Sequence, residues 1–322
     1  LMFIAGEPSG DRHASRILQR MKLDAPQVTT FGIGGSAMQA QGFEALLPFA
    51  PFNKMGFREV ALHLPFFLGA KKLLINEMKR RKPAALVCVD YPGFNIPMMK
   101  AARACAIPVV WYIVPQVWAW KHKRAELLGK YATFIGTVFP FEVEYFKGFN
   151  ARVEFVGHPL IEDLALQSSF GSRERMSRRM LDKRPHLAIV PGSRRQEVLV
   201  MLPVMLKAFE LLRKEFSGMT ATLSWHHHLG DDLFETAQRR PGLTISREPL
   251  CNILTQADIA IVKSGTSTLE TALHGVPMVI AYRTSAMTYH FLRSVVRVPF
   301  IGLTNIVAGR RIVPECIQGT MN

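Results

Sequence analysis

Apolar and polar positions follow two rhythms that take turns along the chain. Short β-branched runs such as Leu86-Val87-Cys88-Val89 and His186-Leu187-Ala188-Ile189-Val190 alternate with longer stretches at helical spacing. Runs that stay apolar at consecutive positions are buried on both faces, as strands of a parallel sheet covered by helices are. Strands are expected near 1–5, 29–33, 84–90, 109–114, 132–138 and 153–156, and again near 186–190, 221–225, 243–246, 258–262 and 277–281. Such alternation predicts βαβ units. A polar, Arg-rich break over 173–184 separates the two series, so the pattern predicts an α/β chain of two Rossmann-like domains, 1–168 and 169–322, with parallel sheets facing an interdomain cleft. No short repeat or low-complexity tract is visible, which excludes solenoids and propellers.

Residues 60–82 differ in kind. Leu64, Phe67, Leu68, Leu74, Ile75 and Met78 fall at helical spacings on one side, with Lys72, Asn76, Lys79 and Arg80 on the other. Lys71, Lys72, Lys79, Arg80, Arg81 and Lys82 stand against a single acid, Glu77. A basic amphipathic element of this kind reads as membrane-surface binding, with Leu64, Phe67, Leu68 and Leu74 inserting and Lys71 and Lys72 meeting anionic lipid. A core-facing helix with a solvated back produces the same pattern.

Composition narrows the function classes. The 322 residues are 48% hydrophobic and 20% charged, which sets the chain apart from disordered segments. Lys and Arg total 40 against 25 acids, a net charge of +15, so an anionic partner is expected: nucleic acid, phospholipid or a phosphorylated substrate. A nucleic-acid binder lacks support, because no contiguous basic recognition helix is found. Cys88, Cys105, Cys251 and Cys316 are widely spaced, giving neither a zinc spacing nor a disulfide framework, as in a reducing cytosol. The apolar stretch 104–120, which is free of charge, contains Pro108 and Pro115 and is too short to span a bilayer. The chain opens on a strand already running and stops just after a new segment begins, so truncation is expected at both ends.

In open α/β sheets ligands bind beyond the carboxyl ends of the strands. The first strand runs into Gly6-Glu7-Pro8-Ser9-Gly10-Asp11, a turn whose following helix offers free N–H groups to an anion or polar ligand; a plain turn capped by Asp11 or Ser9 fits equally. The spacing is not that of a dinucleotide fingerprint. Gly32-Ile33-Gly34-Gly35-Ser36 carries the same ambiguity. Asp90 ends the strand at 84–90, before Tyr91-Pro92-Gly93-Phe94-Asn95, where a carboxylate can serve as general base or as a helix cap. The prolines at 92 and 97 predict a shaped rather than helical backbone there. Pro115-Gln116-Val117-Trp118-Ala119-Trp120 and the basic Lys121-His122-Lys123-Arg124 offer an aromatic wall and a phosphate contact, or else core packing and a solvated face. His158 lies just past a strand.

In the second half, Pro191-Gly192-Ser193-Arg194-Arg195-Gln196-Glu197 brings a forked guanidinium to a strand end, an arrangement suited to phosphate. Ser264-Gly265-Thr266-Ser267-Thr268-Leu269-Glu270 opens a helix whose small residues let N–H groups approach a diphosphate, while Glu270 can accept from ribose hydroxyls. A capping box partly fits the same residues. Two such loops at two strand ends of one sheet favour a nucleotide-diphosphate site. Trp225-His226-His227-His228 is not read as a metal site, because consecutive strand residues point to opposite faces.

Together these motifs resemble the bacterial lipid-A-disaccharide synthases, glycosyltransferases of the two-Rossmann-domain (GT-B) type. The matching segments are Ala5-Gly6-Glu7-Pro8-Ser9-Gly10-Asp11, Pro115-Gln116-Val117-Trp118-Ala119-Trp120, Phe139-Pro140-Phe141-Glu142, Phe155-Val156-Gly157-His158, Pro191-Gly192-Ser193-Arg194 and Ser264-Gly265-Thr266-Ser267-Thr268-Leu269-Glu270. The resemblance implies transfer of 2,3-diacylglucosamine from UDP to 2,3-diacylglucosamine 1-phosphate with inversion, forming a β(1→6) disaccharide. It makes Asp90 the base, assigns UDP to Arg194, Ser264, Gly265, Thr266, Ser267, Glu270 and Asn305, and assigns the acceptor to Gly6, Glu7, Ser9, Gly10, Asp11, Gln116, Trp118 and His158. No cofactor and no metal is required in this reading. It implies an anionic membrane surface and a homodimer as partners, no nucleic acid, and a cytoplasmic enzyme held peripherally at the inner membrane of a Gram-negative bacterium. The alternative is another UDP-sugar enzyme of the same fold, such as an epimerase. Family members also continue past residue 322, with a C-terminal segment packing back across the domains and the partner subunit.

Overall fold

The computed structural model describes residues 1–53, 64–119, 123–165, 182, 184–226, 229, 240–284, 289 and 298–321. Trp120, Lys121 and His122, most of the polar break, and His227 with His228 lie outside them. The chain divides into two compact units, Leu1–Pro159 and Leu160–Asn322.

The first unit is a seven-stranded parallel sheet. Its strands are β1 (Met2–Ala5), β2 (Phe31–Ile33), β3 (Glu44–Ala45), β4 (Leu86–Val89), β5 (Val109–Tyr112), β6 (Phe134–Thr137) and β7 (Arg152–Phe155), in the spatial order β3-β2-β1-β4-β5-β6-β7. Alternate residues of one strand feed two separate cores, which is why the runs are apolar throughout. Met2, Ile4, Leu86 and Cys88 pack under one face of the sheet, and Phe3, Ala5, Val87 and Val89 under the other. The helix Pro8–Asp24 covers the second face through Ala14 and Leu18, and the helices Leu64–Arg81 and Pro92–Ala104 cover the first.

The second unit repeats the plan with six parallel strands: β8 (His186–Val190), β9 (Thr220–Ser224), β10 (Leu243–Ser246), β11 (Ile259–Lys263), β12 (Met278–Tyr282) and β13 (Glu315–Ile317), in the order β10-β9-β8-β11-β12-β13. Leu187 and Ile189 face the helix Arg195–Glu215, which buries Val198, Met201, Leu202, Met205, Leu206 and Phe209 along one stripe; Ala188 and Val190 enter the opposite core. All eleven expected strands form. The two that the pattern did not announce, β3 and β13, are edge strands of two and three residues, too short to carry a period.

Two local expectations change. The backbone after Asp90 is helical: Pro92 sits in the first turn, where no donor is needed, and the helix continues through Pro97 to Ala104 because Phe94, Met98, Met99 and Ala102 are buried along one side. Neither Ser9 nor Asp11 caps the first helix, which starts at Pro8 with Glu7 as its preceding residue.

The helix Leu64–Arg81 shows a different partition from the expected one. Leu74 is fully buried, together with Ala70 and Met78, and Phe66 and Phe67 pack edge-on against Phe52. Leu74 therefore belongs to the core and not to an inserting face, and Phe67 leans on that core. Leu64 at 51%, Leu68 at 60% and Leu73 at 37% are the exposed apolar residues. Apolar residues encircle much of this helix, so spacing alone could not say which stripe faces inward. Arg81 makes a two-pronged pair with Glu44 and also binds Glu77, so part of the basic run is engaged within the fold.

Candidate active site

In each sheet the strand order reverses at one point, between β1 and β4 in the first unit and between β8 and β11 in the second. Loops leaving such a pair turn away from each other and leave room for a ligand at their carboxyl ends. The Gly6–Asp11 and Asp90 motifs fall at the first of these points, and the Arg194 and Ser264–Glu270 motifs at the second.

In the first unit Gly6-Glu7 follows β1 and Asp90-Tyr91 follows β4, and Ala5 and Val89 are paired in register. Asp90 and Tyr91 both adopt left-handed backbone, with φ of 45° and 51°, and Ile113 at the end of β5 does so at 62°. Three non-glycine residues in this region, one of them β-branched, mark a strained rim of the kind held at functional sites. Buried Asn95 supports it by donating from Nδ2 to the Asp90 carbonyl at 2.7 Å, and Tyr91 donates its hydroxyl to the Phe52 carbonyl at 3.0 Å. Gly6 must be glycine because the Tyr91 ring occupies the space a Cβ would take.

Burial raises the Asp90 carboxyl to about 7, with the neighbouring Glu7 charge adding to the shift; the Tyr91 N–H and Arg124 pull the other way. The Tyr91 phenol is pushed up to about 12 by the same burial. A carboxylate that titrates near neutrality at a strand end is suited to proton abstraction.

Several residues expected at the acceptor are engaged inside the fold. Asp11 is buried and accepts from the N–H groups of Gly35, Ala37 and Met38 at 2.7, 3.0 and 3.1 Å, so its carboxylate caps the short helix Ser36–Gln39 from across the sequence. That contact also explains Gly35, whose missing Cβ leaves space for the carboxylate. Trp118 is buried and donates its indole N–H to Glu142 at 3.1 Å, so it is not an open wall. Glu142 also accepts from Val138 and Phe139 N–H, and burial raises its carboxyl to about 7. Phe139 stacks on Phe141 and leans on His158, which burial holds down to about 4 and thus neutral at pH 7. The tryptophan, Phe-Pro-Phe-Glu and histidine motifs form one packed cluster. Gln116 is exposed.

In the second unit Arg194 follows β8 and is 62% exposed, with Glu197 at 3.8 Å. After β11, Ser264 donates its hydroxyl to the Ile301 carbonyl, Gly265 precedes the helix Thr266–Leu273, and Thr268 donates back to the Gly265 carbonyl. Thr266 is exposed; Ser267 and Glu270 are partly exposed. Asn305 is fully buried and its amide is saturated, donating to the Val313 carbonyl and Glu315 and accepting from the N–H groups of Ile312 and Val313. The Asn305 side-chain amide thus braces a loop. Lys263, the last residue of β11, belongs to none of the motifs above; its signal in the sequence is a lone charge closing an apolar strand. Among the described residues no cluster of His, Cys, Asp and Glu suits a metal.

The model of the lipid-A-disaccharide synthetase family matches residues 1–322. The chain belongs to that family. It is similar to the lipid-A-disaccharide synthase of Syntrophus aciditrophicus, with 35% identity covering all of this chain and 85% of that one. The corresponding enzyme of Geobacter sulfurreducens is 36% identical over 99% of this chain and 83% of its own length. Among solved structures, Acinetobacter baumannii MurG superposes with a TM-score of 0.56 at 18% identity, covering all of this chain and 86% of that one. UDP-GlcNAc 2-epimerase from Neisseria meningitidis bound to UDP-GlcNAc gives 0.58 at 11% identity, covering 96% and 88%. At such identities the structures establish the GT-B fold alone. The family match makes the chain a glycosyltransferase of lipid A synthesis.

Proposed function

We propose that the chain transfers 2,3-diacylglucosamine from UDP to the 6-hydroxyl of 2,3-diacylglucosamine 1-phosphate with inversion at the anomeric carbon. Asp90 carries this reading: its strained, half-buried carboxyl titrates near 7 at the reversal point of the first sheet. In it Asp90 accepts the proton of the attacking hydroxyl, which forms the new bond as the diphosphate leaves. Glu7 keeps the base from ionising too readily, and Arg124 limits that effect. The second unit holds the nucleotide, with Arg194 on the diphosphate, the Gly265-Thr266-Ser267 turn presenting N–H groups to it, and Glu270 on the ribose. Positive charge there stabilises the leaving group. Exposed Leu64, Leu68 and Leu73 with Lys72 and Lys79 bring the enzyme to the surface where its acylated substrates reside.

Turnover of Asp90→Asn with the two acyl-sugar substrates tests the central role. UDP release is expected to fall about 100-fold or more with UDP affinity unchanged. Near-normal turnover would remove Asp90 from the mechanism.

A further inference from the structure

Lys263 ends β11 and Glu197 lies in the first turn of Arg195–Glu215. Lys263 Nζ donates to Glu197 Oε1 at 2.8 Å, with the two side chains 16% and 22% exposed. Opposite charges at that depth recover little beyond their desolvation, so stability alone is a poor reason for a lysine there. Its surroundings point to another. The ammonium lies 3.9 Å from the place a Cβ would occupy on Gly265, and the lysine stem passes 3.5 Å from the equivalent point on Gly192. These glycines belong to the turns that leave β11 and β8 at the reversal point of the sheet. Arg194 reaches toward the same Glu197 carboxylate. Two cations and one carboxylate leave net positive charge between two glycine turns.

We propose that Lys263 is a further ligand of the nucleoside diphosphate, held in place by Glu197 and acting beside Arg194. The assignment rests on the nucleotide reading of this unit given above. An ammonium has three donors, so one can serve Glu197 while the others serve phosphate oxygens. A lysine stem is flexible and costly to order, and the ion pair orders it before the ligand arrives. Exposed Arg194 closes on the phosphates from the solvent side.

Calorimetry on the full chain with UDP, UMP and uridine tests this. Lys263→Met is expected to weaken UDP about 10-fold or more, to weaken UMP less and to leave uridine unchanged, with Lys263→Arg recovering most of the UDP affinity. Should Lys263→Met fail to fold because Glu197 is left without its cation, the double variant Lys263→Met with Glu197→Gln leaves no charge orphaned and carries the same comparison. Unchanged UDP affinity, or an equal loss for all three ligands, overturns the assignment. Failure of the nucleotide reading looks different: the wild-type chain would then bind none of the three, and this proposal would fall with it.

Discussion

At the scale of single residues, the chemistry of this chain depends on what surrounds a few carboxylates. Asp11 and Glu142 are buried and Asp90 is half-buried, and the three are put to different uses. Asp11 spends its oxygens on three backbone N–H groups. Glu142 accepts from two N–H groups and an indole. Asp90 has the Tyr91 N–H and a like charge nearby, and is the carboxylate to which we assign the proton transfer in the proposed reaction. Because its folded pKa lies above that of an unfolded aspartate, the linked stability is present below the unfolded value near 3.8 and is lost as pH rises through about 7. Asp90→Asn is therefore expected to melt at a higher temperature than wild type at pH 8 while turning over far more slowly; scanning calorimetry at pH 5 and pH 8 reads the difference. If Asp90 is the base it must be ionised to act, so kcat/KM should rise with pH and level off above about 7. Glu7→Gln removes the like charge and should move that limb to lower pH, and Arg124→Met should move it higher. A pH profile that moves in neither variant would mean that another group sets the limb.

At the scale of elements, the helix Leu64–Arg81 has to satisfy a core and a surface at once. Its inward stripe is Ala70, Leu74 and Met78, while Leu64, Leu68 and Leu73 stand in solvent. Leu74→Ser should cost about 2 to 5 kcal/mol, since it empties a packed site and buries a hydroxyl. Leu64→Ser with Leu68→Ser should leave the melting temperature unchanged and raise solubility. If the exposed leucines seat the enzyme on lipid, the same double variant should lose binding to vesicles. Melting curves and vesicle co-sedimentation on the two variants separate these roles, and a double variant that unfolds early would place Leu64 and Leu68 in the core instead.

At the scale of the whole molecule, the net charge of +15 acts at longer range than any one contact. Binding to anionic vesicles should weaken steeply as salt rises, because the screening length shrinks from roughly 10 Å at 0.1 M to 3 Å at 1 M. A residual binding that survives high salt would measure the apolar share from Leu64, Leu68 and Leu73. Among the described residues no helix is long and apolar enough to cross a membrane.

The amino-acid sequence by itself determined the alternation of strands and helices, the two-sheet plan and the loops where ligands are to be sought. Each of these rests on local patterning: a buried parallel strand must be apolar at every position, and a turn that leaves it needs glycine or small residues. The places of Asp90 and Arg194 just past strand ends were readable, and strand ends are where ligands are sought in such sheets. The tertiary structure alone decided which motif residues are occupied within the fold. The partners of Asp11 lie 24 or more residues away, Trp118 meets Glu142 across 24 residues, and Lys263 meets Glu197 across 66. Asn305 is spent on its own loop. It also decided which stripe of the Leu64–Arg81 helix faces inward and how far Asp90 is shifted. A pKa reflects desolvation and nearby charge, the charges here coming from Glu7 and Arg124, both distant in sequence, and a helix with apolar residues on more than one side shows its buried stripe only once something packs against it.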